Sequence, residues 1–153
     1  MLRENKLVCY CIKPFTYFYP MDTIKQISTE FIEENTDFSA LISEIKNYFS
    51  SDEVMVPMRH HHDFPNPKVQ ADSTLLLMPA WNPSKNAGVK IVTVSPENGQ
   101  FDMPSIQGAY IYFDAIKGSI KAILEAKSMT VKRTAAASAL ASSYLSKENA
   151  SSL

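Results

Sequence analysis

Apolar residues between positions 28 and 50 recur at helical spacing, whereas many of those further along occur in runs or partial alternation typical of strands. A short helix is predicted from Ser28 to Glu34, because serine is a good helix cap and acidic residues follow it. A second helix is predicted to begin at Asp37 or Ser39 and to end at Ser50–Asp52. Its apolar face is formed by Leu41, Ile42, Ile45 and Phe49.

Four segments in the middle of the chain are rich in β-branched and aromatic residues, which predicts strands. They are Val54–His62, Ser73–Trp81, Gly88–Val94 and Ala109–Phe113, and a short strand at Ile24–Ile27 precedes the helices. Asp114–Gly118 predicts a turn that joins the last of these strands to Ser119–Leu124 as a hairpin. Loops are predicted at Pro65, Pro67, Pro79, Pro83, Pro96 and Pro104.

The last predicted element is a helix that Ser128 or Thr130 caps and that ends near Leu145. Residues 135–143 are nearly all small, so another backbone can approach this helix closely. The elements predict an α+β fold, a mixed β-sheet with flanking helices, over residues 21–127, followed by a helix in residues 128–153. Residues 1–20 are dense in aromatic side chains and are interpreted either as a disordered extension or as the result of a start upstream of Met21.

Composition places the chain among ordinary globular proteins. It has 153 residues, of which 45% are hydrophobic and 20% charged, and its formal net charge is −1. Such a balance predicts neither nucleic acid nor a membrane surface as a partner, and no apolar run reaches the roughly 18 residues of a membrane span. Cys9 and Cys11 are interpreted as reduced thiols, which favours a cytoplasmic location.

Three cations stand where the surrounding pattern disfavours a charge. Arg59 falls inside a predicted strand, Lys90 lies between apolar residues of another, and Arg133 falls in the first turn of the last predicted helix. A cation in a first turn opposes the helix dipole by about 0.3–1 kcal/mol. Two interpretations are open: three ordinary surface side chains, or a converging set that binds a carboxylate, for which the planar guanidinium of arginine is well suited.

Other chemistry-bearing patterns are weak. The histidines are consecutive, at His60–His62, and further metal ligands are not evident, so no metal site is predicted. The four glycines form no G-x-G pair and no phosphate-binding loop, and there is no G-x-S-x-G nucleophile motif. We therefore predict no catalytic residue in the sequence as given.

Three blocks, Leu77–Trp81, Gly88–Val92 and Lys132–Ala139, follow one another in an order and spacing that resemble the ornithine cyclodeaminase/mu-crystallin family. The step Pro57-Met58-Arg59 fits the same resemblance, which extends from about Ile27 to Leu153. It implies the substrate-binding and dimerisation domain of a bilobed, dehydrogenase-like enzyme whose Rossmann lobe is absent from this chain. Members of the family interconvert amino acids and imines by hydride transfer with NAD or NADP.

The resemblance also implies roles for individual residues. Arg59, Lys90 and Arg133 match the family's ligands for the substrate carboxylate, and Met78 would line the same pocket. Ser105 and Thr134 match positions near the cofactor, which this chain alone is not expected to bind tightly. The implied partners are a small amino acid or cyclic imine and a second copy of the chain in a homodimer.

Two departures limit what the resemblance implies. Leu76 stands where ornithine-converting members carry an acidic residue, so ornithine is not expected as the substrate. The chain ends where the first Rossmann strand would begin, so by itself it is expected to be inactive. The alternative function is a non-catalytic binding or dimerisation module from a shortened gene.

Overall fold

Local capping signals set the first helices in the computed structural model, which describes residues 24–147. After β1 (Lys25–Ile27), α1 (Thr29–Asn35) begins where the Ser28 hydroxyl accepts a hydrogen bond from the Phe31 N–H. α2 (Phe38–Phe49) begins where the Asp37 carboxylate accepts from the Ala40 N–H at 2.6 Å. Both caps satisfy backbone donors that have no partner inside the helix, as predicted from the sequence.

Six strands form one mixed sheet in the order β1-β6-β5-β4-β3-β2. β1 runs parallel to β6, and every other pair of neighbours is antiparallel. The predicted hairpin at Asp114–Gly118 is confirmed, and α3 follows the last strand directly. The remaining elements are β2 (His60–Asn66), β3 (Ala71–Trp81), β4 (Asn86–Val94), a 3₁₀ turn (Pro96–Phe101), β5 (Ile106–Asp114), β6 (Ile120–Glu125) and α3 (Ala126–Leu145).

The predicted strand Val54–His62 is wrong over most of its length. Only Met55 forms a bridge, to Trp81, and the ladder with β3 begins at His60. Arg59 therefore lies just before a strand and not inside one.

Two prolines predicted in loops lie inside strands. The Trp81 N–H donates to Met55, and because N–H directions alternate along a strand, the Pro79 nitrogen faces the same side. On that side, the ladder between β2 and β3 ends at Leu77 and the isolated bridge to Met55 is formed by Trp81. Pro79 lies between these two pairings, so its missing N–H removes no hydrogen bond of the sheet. Pro65 lies in the edge strand β2, where proline is tolerated.

The start of α3 was predicted too late. Its N-cap is Glu125, whose carboxylate accepts from the N–H groups of Lys127 and Ser128, and its first residue is Ala126. The Ser128 hydroxyl instead donates to Glu33 Oε1 at 2.7 Å and joins α3 to α1. The sequence lacked a turn signal here because β6 passes into the helix without a loop.

The three helices lie on one face of the sheet. Gly108 on β5 lies beneath the start of α3 and has no room for a side chain: a Cβ there would lie 2.6 Å from the Ile91 carbonyl oxygen of β4 and 3.4 Å from the Ala126 Cβ. Side chains alternate along strands, so the other face carries a second apolar set that the described helices do not cover. We call it the open face, formed by Leu75, Leu77, Val89, Ile91, Ala109, Ile111 and Ile123.

Few residues are buried, and most of the apolar ones are small. Ala136 is completely enclosed on α3, and the other buried apolar residues are Ile32, Ala87, Val92, Ala122, Ala126 and Leu140. Lys132 is buried on the same helix, and its Nζ lies 2.9 Å from Glu33 Oε2 and 5.3 Å from the ring centre of Phe38. Between residues 24 and 147, no helix combines the length and apolar character needed to cross a membrane.

Candidate functional site

One cross-strand row on the helix-bearing face contains two of the predicted site residues. Met78 on β3 pairs with Lys90 on β4, which pairs with Tyr110 on β5. In the next row Ala80 pairs with Gly88, and these two small residues leave a hollow in the sheet surface. The result is a cleft of about 270 Å³ lined by Tyr48, Val54, Met78, Ala80, Trp81, Asn82, Asn86, Ala87, Gly88, Lys90, Tyr110 and Tyr112.

Lys90 reaches from the sheet to α3. Its Nζ donates a hydrogen bond to Thr130 Oγ1 at 2.9 Å and lies 5.7 Å from the ring centre of Tyr110. Burial lowers the pKa of Lys90 below its ordinary value of 10.5, and the positive charge of Arg133 lowers it further. The site thus destabilises the charged form of Lys90 by desolvation and by repulsion.

Arg133 is not in a first helical turn, so the dipole argument for its unusual position is wrong. Because α3 begins at Ala126, Arg133 is the eighth helical residue. Its positive charge nevertheless acts to lower the pKa of two cleft residues, Lys90 and Tyr110. Burial raises the pKa of Tyr110 above 10.0, and Arg133 and Thr130 act in the opposite direction.

Lys90 differs from the exposed lysines in being partly buried without an anionic partner among the described residues. Among residues 24–147, the ion pairs do not include Arg59, Lys90 or Arg133. By contrast, the buried Lys132 is paired with Glu33, and the more exposed Lys85 is paired with Glu53 at 3.4 Å. The arrangement of Lys90 and Arg133 is therefore suited to an anion that comes from outside the described chain.

The structure does not bring all three predicted carboxylate ligands together. Arg59 is exposed, and no described contact joins it to Lys90 or Arg133. It does precede His60, which pairs with Leu77, so it lies on the Met78 side of the cleft. Its role as a third ligand stays a prediction.

The two predicted cofactor contacts lie outside the cleft lining. The Ser105 hydroxyl is exposed and donates to the Pro96 carbonyl at 3.2 Å. Thr134 is exposed on α3, and its hydroxyl donates to the Thr130 carbonyl at 2.7 Å. Both bonds are local, and the roles of Ser105 and Thr134 stay predictions.

Sequence reasoning missed two neighbours of Lys90, Thr130 and Tyr110. Thr130 was considered only as a helix cap, and Tyr110 only as part of a strand. Tyr110 lies beside Lys90 because of the register between β4 and β5. The two strands are joined through an irregular 3₁₀ turn, whose sequence does not predict that register.

The histidines form no metal centre with the other described residues. His61 and Asp63 lie on one side of β2 with Nε2 and Oδ1 3.0 Å apart, while the rings of His60 and His62 lie 6.2 Å apart. Within residues 24–147, no group of three or more His, Cys, Asp and Glu side chains is placed to hold a metal ion.

The fold and the site together define an α+β domain with an unpaired cationic group beside an open cleft. The chain belongs to the ornithine cyclodeaminase/mu-crystallin family, which it matches over residues 23–153. The resemblance seen in the sequence is therefore confirmed.

The relatives are longer than this chain. It is 43% identical over 129 residues to an uncharacterised protein of Schizosaccharomyces pombe, covering 83% of this chain and 39% of that protein. It is 33% identical over 131 residues to the Delta(1)-pyrroline-2-carboxylate reductase of Colwellia psychrerythraea, covering 85% and 41%. Both alignments show that the chain spans about two-fifths of the length of these relatives.

A solved structure is also similar to this chain over only part of its own length. The Delta(1)-pyrroline-2-carboxylate reductase of Thermococcus litoralis, in complex with NADH and L-proline, is similar with a TM-score of 0.68 and 25% identity. The similarity covers 82% of this chain and 39% of the Thermococcus chain.

Proposed function

We propose that this chain supplies the substrate-carboxylate site of an NAD(P)-dependent oxidoreductase that reduces a cyclic imino acid to an amino acid. The main support is Lys90, a partly buried ammonium in the cleft that donates to Thr130, has no carboxylate partner in the described chain and is disfavoured further by the charge of Arg133. A bound carboxylate would offset both the repulsion from Arg133 and the desolvation of Lys90.

Each cleft residue then has a distinct role. The fork of Arg133 would bind both carboxylate oxygens, and the Lys90 ammonium would bind one of them. Met78 and Tyr110, which flank Lys90 in the same row, would contact the carbon skeleton. Arg59 would close the site from the edge of the sheet.

The substrate body is proposed to carry no second positive charge. Leu76 pairs with Val92 on the helix-bearing face, one row from Lys90, so an apolar residue occupies the position where a carboxylate would bind a side-chain amine. The names of the Colwellia and Thermococcus relatives support a five-membered cyclic imine over ornithine.

The described residues do not form a dinucleotide cradle. Gly88 and Gly108 lie inside strands, and neither Gly99 nor Gly118 begins a helix of the kind that holds a pyrophosphate. The nicotinamide, which supplies the hydride when bound, would be held by the additional length found in the relatives. Ser105 and Thr134 are proposed to face it from this side.

Dimerisation through the open face is part of the proposal. Its leucine, valine and isoleucine side chains form a continuous apolar surface, which in a solvent-exposed position favours association with a second copy. We also propose a cytoplasmic location, where Cys9 and Cys11 would stay reduced. The same open face favours the second candidate function, a non-catalytic dimerisation module.

Titration calorimetry with L-proline tests the carboxylate site, with L-prolinamide as a matched ligand that lacks the charge. Proline should bind and prolinamide should not. Arg133→Met should weaken proline binding by roughly a hundredfold, because both hydrogen bonds of its fork to the carboxylate are lost. Lys127→Met, at an exposed position on the same helix, should have no effect. Equal binding of the two ligands would contradict the proposal.

Turnover separates the two candidate functions. A polypeptide extended to the length of the relatives should oxidise NADH or NADPH in the presence of the cyclic imine of proline, while this chain alone should not. A dimeric, extended protein that binds proline but shows no turnover with either cofactor would favour the non-catalytic module.

A further inference from the structure

We propose, resting on the function proposed above, that Thr130 is the positioning residue for Lys90. Its hydroxyl holds the Lys90 ammonium beside Arg133, so that the two cations face the same substrate carboxylate.

The direction of the Thr130 hydroxyl is fixed by its own helix. Its single proton is donated to the Ala126 carbonyl, so its lone pairs are left for neighbouring groups. An ammonium can only donate, and Lys90 Nζ donates to this oxygen at 2.9 Å. The backbone bond of Thr130 thus orients its hydroxyl in the way that an adjacent cation requires.

Lys90 needs such an anchor because its side chain is long. Ordering a lysine side chain on binding costs conformational entropy and so opposes binding. The Thr130 hydroxyl and the Tyr110 ring restrict the ammonium from the helix and from the neighbouring strand. Only one of the three ammonium protons is used by Thr130, so two remain for a carboxylate.

The helix places Thr130 and Arg133 together. Residues three apart on a helix lie on the same side, so Arg133 lies on the same side of α3 as Thr130, and its charge acts on both Lys90 and Tyr110. Ala126, the first residue of α3 and four residues before Thr130, lies over Gly108 of β5.

The pKa of Lys90, measured in Thr130 variants, shows whether Thr130 positions the ammonium or only stabilises the fold. Thr130→Val keeps the shape and removes the hydroxyl, while Thr130→Ser keeps the hydroxyl. The Cε resonance of isotope-labelled Lys90, assigned with Lys90→Met, reports its protonation without any ligand. Because the hydroxyl stabilises the charged form, Thr130→Val should lower the pKa of Lys90 further, and Thr130→Ser should restore it.

Proline affinity gives the second measurement. Thr130→Val should weaken binding by about tenfold, because the released Lys90 side chain would then have to be ordered on binding, and Thr130→Ser should bind as the wild type does. Thr36→Val is the matched control, because the Thr36 hydroxyl also donates to a carbonyl four residues earlier, that of Ile32. It should change neither measurement.

The outcomes separate this proposal from the function on which it rests. An unchanged Lys90 titration in folded Thr130→Val overturns the positioning role, and Thr130→Ala serves if the valine variant does not fold. If the wild type fails to bind proline, the proposed function is refuted. A shifted titration would then leave Thr130 as the anchor of Lys90 but overturn its link to a carboxylate.

Discussion

Replacing Lys90 with Met should weaken carboxylate binding without weakening the fold. Methionine keeps an apolar stem beside Tyr110 and removes the desolvated ammonium, while the Thr130 hydroxyl keeps its bond to Ala126. A hydrogen bond to a charged group contributes about 1.5–3 kcal/mol. Its loss corresponds to a decrease in proline affinity of roughly ten- to a hundredfold.

The pH dependence of stability and of binding should run in opposite directions in the wild type. Burial and Arg133 lower the pKa of Lys90 below 10.5. Between that lowered pKa and 10.5, the unfolded chain holds more protons than the folded chain, so the free energy of unfolding rises with pH. Over the same window the folded ammonium loses its charge, so proline binding weakens.

Urea unfolding and calorimetry on the same preparations, from neutral to alkaline pH, measure both trends. The wild type should show them, Lys127→Met should behave like the wild type, and Lys90→Met should lack the Lys90 contribution to both. If Lys90→Met keeps the alkaline rise in stability, or binds proline as well as the wild type, then Lys90 is not a desolvated cation that binds the carboxylate.

Three further predictions concern the scaffold. Gly108→Ala should lower the free energy of unfolding by about 1–3 kcal/mol, because its Cβ would lie 2.6 Å from the Ile91 carbonyl oxygen. Gly99→Ala, with no atom within 4 Å, is the control, and equal urea midpoints would contradict the packing argument. A lysine hydrogen bond lowers the pKa of Glu33 below 4.5, so its contribution to stability is present above 4.5 and lost as the pH falls through the lowered pKa. Acid unfolding of Glu33→Gln should therefore be less steep than that of Glu34→Gln, and identical curves would refute this. Ile91→Glu should place a charge on the open face and halve the mass measured by sedimentation, whereas an unchanged dimer mass would exclude this face as the interface.

Elements with short-range signals could be predicted from the sequence. The caps at Ser28 and Asp37 and the turn at Asp114–Gly118 depend on residues within four positions of one another. The start of α3 could not be predicted in the same way, since Glu125 ends a strand and caps a helix at once. Pro79 was also assigned to a loop, yet it lies inside the predicted strand Ser73–Trp81, because its missing donor is harmless where β2 has already ended.

The candidate site was predictable only in part. The sequence placed Lys90 in a strand between apolar residues, and the structure has it there. Its anchor Thr130 lies 40 residues away, and its neighbour Tyr110 depends on a register that an irregular connection sets. Such long-range pairings have no local sequence signal, so only the assembled sheet and helix reveal them.

Two adjacent cations on α3 show why charge alone does not identify a site. Lys132 is buried and paired with Glu33, so its charge is satisfied within the domain and links two helices. Arg133 is exposed, belongs to none of the described ion pairs, and lies close enough to Lys90 to lower its pKa. The helix dipole no longer distinguishes Arg133, because it lies well past the first turn. What distinguishes it is a repulsion that the fold maintains, and a bound carboxylate would turn that repulsion into a shared attraction.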